Sequence, residues 1–494
     1  MAELEETTPP SLKPPLHNSS SPRDKEPDDL EKLLKWQEER IARKLRGEYE
    51  SVVLHLSELI QSNLHTTMNI SSVRVEGAKA TRSSFLGFLI NPILASPSSK
   101  DSPSNLESVL HTTRKISHIL QKSDIFHSVE AKIERARDEL SQQGDVDIVF
   151  KAREKGRFYL NTSTELGNNE GNAAATGRIR NIFGGAEVFE ANVSFGTKTR
   201  RSFRASLTAP LTSSLNAHGE ITAFGLERDN SSFASSTEGL RGIKAIVRNG
   251  TLHRGAHEFA YEAVLRHIGD LTPTASISMR ESAGQTLKSA LSHSYIFDTR
   301  DDRIMATRGH YAKAFNEYAG LGGDASFYKS EFEGSISRPI VDGVSLSIAA
   351  RTGILWGISK PTLFSDRFQL GGPTSVRAFR ANSMGPRDGP DSLGGDLHWS
   401  AGASVISNVP TKPHWPVKTH VWLNAGRLDA IDKNQPLVDN VRRTLTSPSI
   451  SAGVGLLYRF DPVRVEVNFG VPLVASKSDG SRRGVQVGMG LEFL

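Results

Sequence analysis

The chain has 494 residues, 37% of them hydrophobic, with a formal net charge of +5 and a mean hydropathy of −0.35. This length suggests two or more folding units, and no run of about 18 apolar residues is present to form a membrane-spanning helix. The absence of cysteine excludes disulfides, thiolate zinc sites and cysteine nucleophiles. Scattered basic residues without an arginine-rich arm argue against nucleic acid as a partner.

Residues 1–29, rich in Pro, Ser, Asp and Glu, read as a disordered tail. Met1 to Pro10 match neither a secretory signal nor an Arg-rich transit peptide. For a membrane barrel, that pattern fits an organellar outer membrane reached from the cytosol. Leu34, Ile41, Leu45, Tyr49, Val52, Leu56 and Leu59 recur at helical spacing, predicting an amphipathic helix over 30–65. Packing on a neighbouring domain is its simplest role, ahead of a membrane-surface anchor.

Residues 66–152 predict a small α/β module. Val73 to Gly77 reads as a strand ending in a turn glycine. Helical spacing covers Ser83–Ile90 and Leu106–Leu120, separated by the Pro/Ser-rich loop Ser96 to Ser104, and strands follow near Ser128–Ile133 and Val146–Lys151. A strand, helix, helix, strand, strand order with an open edge suits a module that holds extended peptides by β-augmentation.

From 156 to 494 glycine becomes frequent and period-2 alternation replaces helical spacing. Val463, Val465, Val467 and Phe469 alternate with Arg464, Glu466 and Asn468. A membrane barrel places such apolar residues against lipid and the polar ones in its lumen. Some 340 residues at roughly 20 per strand and connection give about 16 strands. The last strand is the most regular: Val485, Val487, Met489, Leu491 and Phe493 alternate with Gly484, Gln486, Gly488, Gly490 and Glu492. A terminal strand so patterned must be held at an edge or at a closure seam.

Four stretches resemble the outer-membrane barrel-assembly insertases, which comprise the bacterial central subunit and the mitochondrial sorting-and-assembly core subunit. With the module, they cover nearly everything after residue 65. Asp298 to Tyr311, with Gly322-Gly-Asp324, looks like the family's Asp-rich hairpin. Taken alone, Asp298, Asp301 and Asp302 read as a solvated turn, since their spacing lacks the regular ligands of an oxygen cage. Leu370-Gly371-Gly372-Pro-Thr-Ser-Val376-Arg377-Ala378-Phe379-Arg380, running on to Asp396, resembles the long inward loop of about 370–397. Ala378 stands where the family usually has glycine. An arginine buried in a lumen needs a hydrogen-bonded partner, and its planar fork can clamp the loop to the wall.

His420 to Arg427 is similar to the strand that receives the loop arginine, with Asn424 in the usual aspartate position. An amide brings no charge, so Asp396 or Glu466 is expected to share the task. The asparagine looks more like the mitochondrial branch than the bacterial one, and the resemblance as a whole is fungal-like. Finally, Gln486-x-Gly488-x-x-Leu491-x-Phe493 fits the signal by which mitochondrial barrel precursors are recognised.

The resemblance implies a mainly β fold: a 16-stranded transmembrane antiparallel β-barrel preceded by one POTRA-like α/β domain in the intermembrane space. It implies insertion of β-barrel precursor proteins into the mitochondrial outer membrane, with accessory subunits of an assembly complex and the lipid bilayer as further partners. The first strand (Phe158, Leu160, Asn161, Thr162 and Thr164) would pair weakly with the last and form a lateral gate. A protein-conducting or passive channel of the plastid type is the alternative. No nucleotide motif, G-x-S-x-G elbow or H-E-x-x-H helix occurs, and the 15 histidines do not cluster at ligand spacing. The expectation is therefore neither an enzyme nor a protein with a cofactor or metal.

Overall fold

The computed structural model describes residues 30–45, 59–95, 105–138, 141–142, 144–167, 170–409, 415–460 and 463–490. The expected tail at 1–29, the middle of the expected long helix, the Ser96 to Ser104 loop, and Leu491 and Phe493 lie outside these residues. The N-terminal helix α1 spans Leu30–Leu45.

The chain divides into two compact units. The first contains a three-stranded sheet of β1 (Asn69–Glu76), β2 (Phe126–Arg135) and β3 (Asp145–Glu154), in the order β1-β3-β2. The central strand β3 pairs parallel with β1 and antiparallel with β2. Its Val146, Ile148, Val149 and Phe150 are all buried, and Val146, Ile148 and Phe150 face the helices in the unit's core. Two helices, α2 (Ser83–Leu94) and α3 (Leu106–Lys122), complete the unit. Asn105 caps α3: its side chain accepts from the Ser108 N–H at 2.9 Å, and Ser108 Oγ accepts in return from the Asn105 N–H at 3.3 Å. Val109, Ile116 and Leu120 of α3 then join Leu89, Ile148 and Phe150 in one apolar core. Segments 180–187 and 210–215 belong to the same unit.

The second unit is one sheet of sixteen strands. It runs through β4 (Phe158–Gly167), β5 (Glu170–Arg180), β6 (Val188–Gly196), β7 (Thr199–Pro210), β8 (Ala217–Asp229) and β9 (Thr237–Thr251). It continues through β10 (Gly255–Gly269), β11 (Gly284–Asp298), β12 (Gly309–Gly323), β13 (Phe327–Val341) and β14 (Val344–Gly357). A loop over 358–396 follows, carrying the two-residue strands β15 (Arg387–Asp388) and β16 (Asp391–Ser392). The sheet resumes with β17 (Leu397–Asn408), β18 (Val417–Asp429), β19 (Ser449–Phe460), β20 (Val463–Val474) and β21 (Gly484–Gly490). Each strand neighbours the next from β4 to β21, with β14 beside β17. The last strand returns to within 8 Å of the first.

Alternation sorts the side chains by face. On β18, Val421 and Leu423 are exposed while His420, Trp422 and Asn424 are buried; on β20, Val467 and Phe469 are exposed while Glu466 and Asn468 are buried. The outer wall is thus apolar and the inner wall polar, the inverse of a soluble protein and the arrangement lipid demands. Several inner-wall charges are paired: Glu220 takes Arg204 and Arg248, Lys288 takes Glu262 and Glu317, and Arg351 takes Glu333. Among the described residues, no helix is long and apolar enough to cross a membrane.

Candidate functional site

The loop over 358–396 folds into the lumen instead of away from it. Gly371 and Gly372 take φ of +106° and +117°, conformations that only glycine adopts freely, and they turn the chain toward the inner wall. Val376, Arg377, Ala378 and Phe379 at the tip are at most 1% exposed. Val376 and Phe379 pack with Leu370, Met384 and Leu428 in a core that belongs to the lumen itself.

Arg377 is held from several directions. Its Nε and Nη2 donate to the two carboxylate oxygens of Glu466 at 3.0 and 3.2 Å, and Nη1 donates to Asn424 Oδ1 at 3.0 Å. The guanidinium lies 5.5 Å from the Trp422 ring centroid, within cation–π range. The Arg377 carbonyl accepts from Ser451 Oγ at 2.6 Å. One residue on, the Ala378 N–H donates to Gln486 Oε1 at 2.9 Å, and Gln486 Nε2 donates to the Phe379 carbonyl at 2.9 Å. The tip therefore bonds to four consecutive strands, β18 through β21. The connection between β20 and β21 encloses it further: Arg380 N–H donates to the Gly480 carbonyl and Arg482 N–H to the Ala378 carbonyl, each at 2.8 Å.

The chain as a whole has counterparts among known proteins. The Omp85 superfamily domain matches residues 181–493. A SAM50-like protein of Schizosaccharomyces pombe is 35% identical over 90% of this chain and 95% of its own length. The sorting and assembly machinery component 50 homolog of Xenopus tropicalis is 31% identical over 86% of this chain and 90% of its own. The human homolog is 30% identical over 79% of this chain and 84% of its own. The chain belongs to the SAM50 family of the Omp85 superfamily. In fold it is similar to BamA from Haemophilus ducreyi lacking POTRA domains 1–3, with a TM-score of 0.71 at 16% identity, over 85% of this chain and 84% of that one.

Asn424 and Glu466 both reach Arg377. Asp396 does not: it accepts from Thr362 Oγ1 at 2.8 Å and the Ile431 N–H at 3.3 Å, with Arg367 Nε at 3.9 Å. It closes the base of the loop, and Glu466 alone supplies the carboxylate. Glu466 is shared with Arg464 and with Asn468 Nδ2, the latter at 2.7 Å. Ala378 takes φ of +64°, the left-handed region, which costs an alanine about 1–2 kcal/mol. The methyl does not prevent close approach, because the Ala378 N–H still reaches Gln486.

On the first strand, Phe158 and Leu160 are 79% and 77% exposed, and Asn161, Thr162 and Thr164 are exposed as well. On the last, Gln486 lies opposite Asn468 and Gly488 opposite Glu466. Among the described residues no ladder joins β21 to β4, although the strands lie side by side.

The Asp-rich turn over 299–308 is more ordered than a solvated turn. Asp301 accepts from the backbone N–H groups of Asp302, Thr307 and Arg308, and from Thr307 Oγ1. Asp302 accepts from the N–H of Ile304 and Met305, and pairs with Arg459. Asp298, which ends β11, is buried against Arg300, whose guanidinium lies 4.3 Å from the Tyr311 ring centroid. Burial by itself raises the Asp301 carboxyl, but these hydrogen bonds outweigh it and hold it below its ordinary 3.8. A lowered folded-state value stabilises the turn above the ordinary carboxylate range, and that contribution is lost as pH falls through the folded-state value. Amide exchange at Thr307 and Arg308, corrected for intrinsic rate, should therefore accelerate on acidification below 3.8. Asp301→Asn should flatten that dependence; an unaltered profile in the variant would assign the titration elsewhere.

Trp422 and Ser451 were not singled out in the sequence, and Gln486 was singled out only for the precursor signal; all three carry the lumen-facing parity of their strands, which was the available signal, but parity says nothing of which loop atom they meet.

Proposed function

We propose that the chain inserts and folds β-barrel precursor proteins into the mitochondrial outer membrane, using the β4–β21 seam as a lateral gate. The observation that carries this reading is the seam: the two ends of a sixteen-stranded sheet lie side by side. In lipid every backbone N–H and C=O must be satisfied, so a seam that opens must take an incoming strand in exchange. A precursor's terminal strand would add to β4 by β-augmentation, with Asn161, Thr162 and Thr164 along the receiving edge. Hairpins would then accumulate and leave sideways, driven by folding itself.

The tip of the inward loop supports the same reading, because it fastens β18 to β21 together and so defines the rigid side of the gate. Gln486, Gly488, Leu491 and Phe493 would be this chain's own copy of the precursor signal. We assign the module of β1 to β3 as a POTRA-like domain in the intermembrane space, receiving extended precursor segments at an open sheet edge. Accessory subunits of an assembly complex would act on the same precursors.

The cysteine-free sequence makes the test direct. Single cysteines along Phe158 to Leu166 are paired with one in the terminal strand of a model precursor, and disulfides are mapped during import. Cross-links that follow one strand register are the expected result. A β4–β21 disulfide that forms equally with and without precursor, and leaves assembly intact when locked, would overturn the gate and favour a closed channel.

A further inference from the structure

The inward loop is fastened at a second station, at its base, with the charges reversed. Asp366 of the turn Phe364–Asp366 accepts from Arg266 Nη1 of β10 at 2.8 Å, and both side chains are 4% exposed. Lys329 of β13 lies 3.3 Å from the Asp366 carbonyl oxygen, and its ammonium sits 4.5 Å from the Phe368 ring centroid. Phe368 in turn packs on His398 of β17, with ring centroids 4.3 Å apart. At the tip the loop supplies the cation and the wall the carboxylate; at the base the loop supplies the carboxylate and the wall the cations.

We infer that Arg266 and Asp366 are positioning residues that stretch the loop between β10 and the β18–β21 wall, and that this base station sets the permeability of the lumen. The loop's ends are already tied to β14 and β17 by the chain, and Asp388 and Asp391 bond Ser278 and Ser276; the Arg266 contact adds a buried charged fixture on β10, across the lumen from the tip's wall, that holds the intervening segment in place. The two stations differ in strength. Arg377 makes at least three side-chain hydrogen bonds, whereas Arg266 and Asp366 share one, and among the described residues Arg266 Nε and Nη2 and Asp366 Oδ2 have no hydrogen-bond partner. Buried ion pairs repay desolvation only when their remaining polar atoms are also satisfied. The base is thus the weaker fastening and the first to yield. Opposite polarity at the two ends also fixes the loop's direction, since a reversed placement would set like charges together at both stations. This goes beyond the insertase reading and does not rest on the gate.

The test uses the full chain in planar bilayers and in liposomes. Asp366→Arg sets two guanidiniums against each other; Arg266→Asp with Asp366→Arg restores the pair in reverse. Single-channel conductance reports the lumen. A Leu370→Cys reporter, buried at 4% exposure in the parent, reports loop release by its rate of maleimide labelling. Labelling tracks the population of the released loop, and Asp366→Arg should speed it on the order of tenfold or more, given the cost of breaking a buried pair. Conductance should rise in parallel, and the double reversal should bring both back toward the parent. Gel mobility without heating verifies that each barrel has folded. If Asp366→Arg fails that check, Asp366→Asn is read in the same two assays with the same meanings. A folded single variant with parental conductance and labelling, or a double reversal as open as the single, would overturn the inference.

Discussion

Arg377→Ala is expected to leave the barrel folded in the membrane yet to remove most of its capacity to assemble precursors. The substitution deletes at least three side-chain hydrogen bonds and leaves the fully buried Glu466 short of its principal counter-ion. Removing one partner of a buried pair costs about 3–5 kcal/mol. The lower end applies here, because Arg464 and Asn468 still reach the Glu466 carboxylate. About 3 kcal/mol is roughly a hundredfold change in the ratio of seated to unseated tip, enough to loosen β18 to β21 while the ladders between them persist. Arg377→Lys should recover only part of the loss. A compact ammonium can meet Glu466 but cannot also span to Asn424 with the planar fork. The measurement is the yield of a folded, heat-modifiable precursor in reconstituted membranes, with the variant's own mobility as the folding control. Parental yield from Arg377→Ala would mean that the clamp is dispensable for assembly.

Much of this architecture is legible in the sequence because a barrel wall obeys one local rule. Period-2 alternation assigns each residue of β18 or β20 to lipid or lumen without any knowledge of its neighbours. It therefore places Glu466 inward, whereas Asn424 comes from the family resemblance, and repeating strand-and-turn lengths lead to about sixteen strands. Alternation fixes the face but not the level along the strand, and the level decides which lumen residues meet. Asp396 and Glu466 were thus equal candidates for Arg377. The fold separates them because Asp396 sits at the start of β17, at the loop's base, where it accepts from Thr362 and Ile431. Glu466 lies along β20, opposite Gly488 of β21, level with the tip. The Arg266–Asp366 pair was illegible for the same reason, since its partners are a hundred residues apart and no local pattern joins a β10 position to a turn in the loop. The left-handed φ of Ala378 was hidden differently. An alanine gives no sign that tertiary bonds on both sides hold it in a glycine conformation.

Gln486→Leu is expected to have the next largest effect, and its logic differs from that of the arginine. Gln486 is 8% exposed and satisfies two backbone groups of the tip at once, the Ala378 N–H and the Phe379 carbonyl. Leucine is close in size but satisfies neither, and a buried backbone group left without a partner costs about 1–3 kcal/mol. Glu at this position could still accept from the Ala378 N–H. It would, however, set a carboxylate against the Phe379 carbonyl, so it should help little. Gln486 also belongs to the segment that fits the precursor signal, which gives the substitution two possible consequences. If the side chain serves only that signal, Gln486→Leu will block insertion of this chain itself, and no heat-modifiable barrel will form. If it positions the loop, the barrel will insert and only its work on other precursors will fall. The double variant separates these further. Arg377 and Gln486 hold adjacent residues of one turn, so once Arg377→Ala has released the tip, Gln486→Leu has little left to remove, and the two losses should fall well short of additive. Fully additive losses would place the role of Gln486 in the last strand alone, away from the loop.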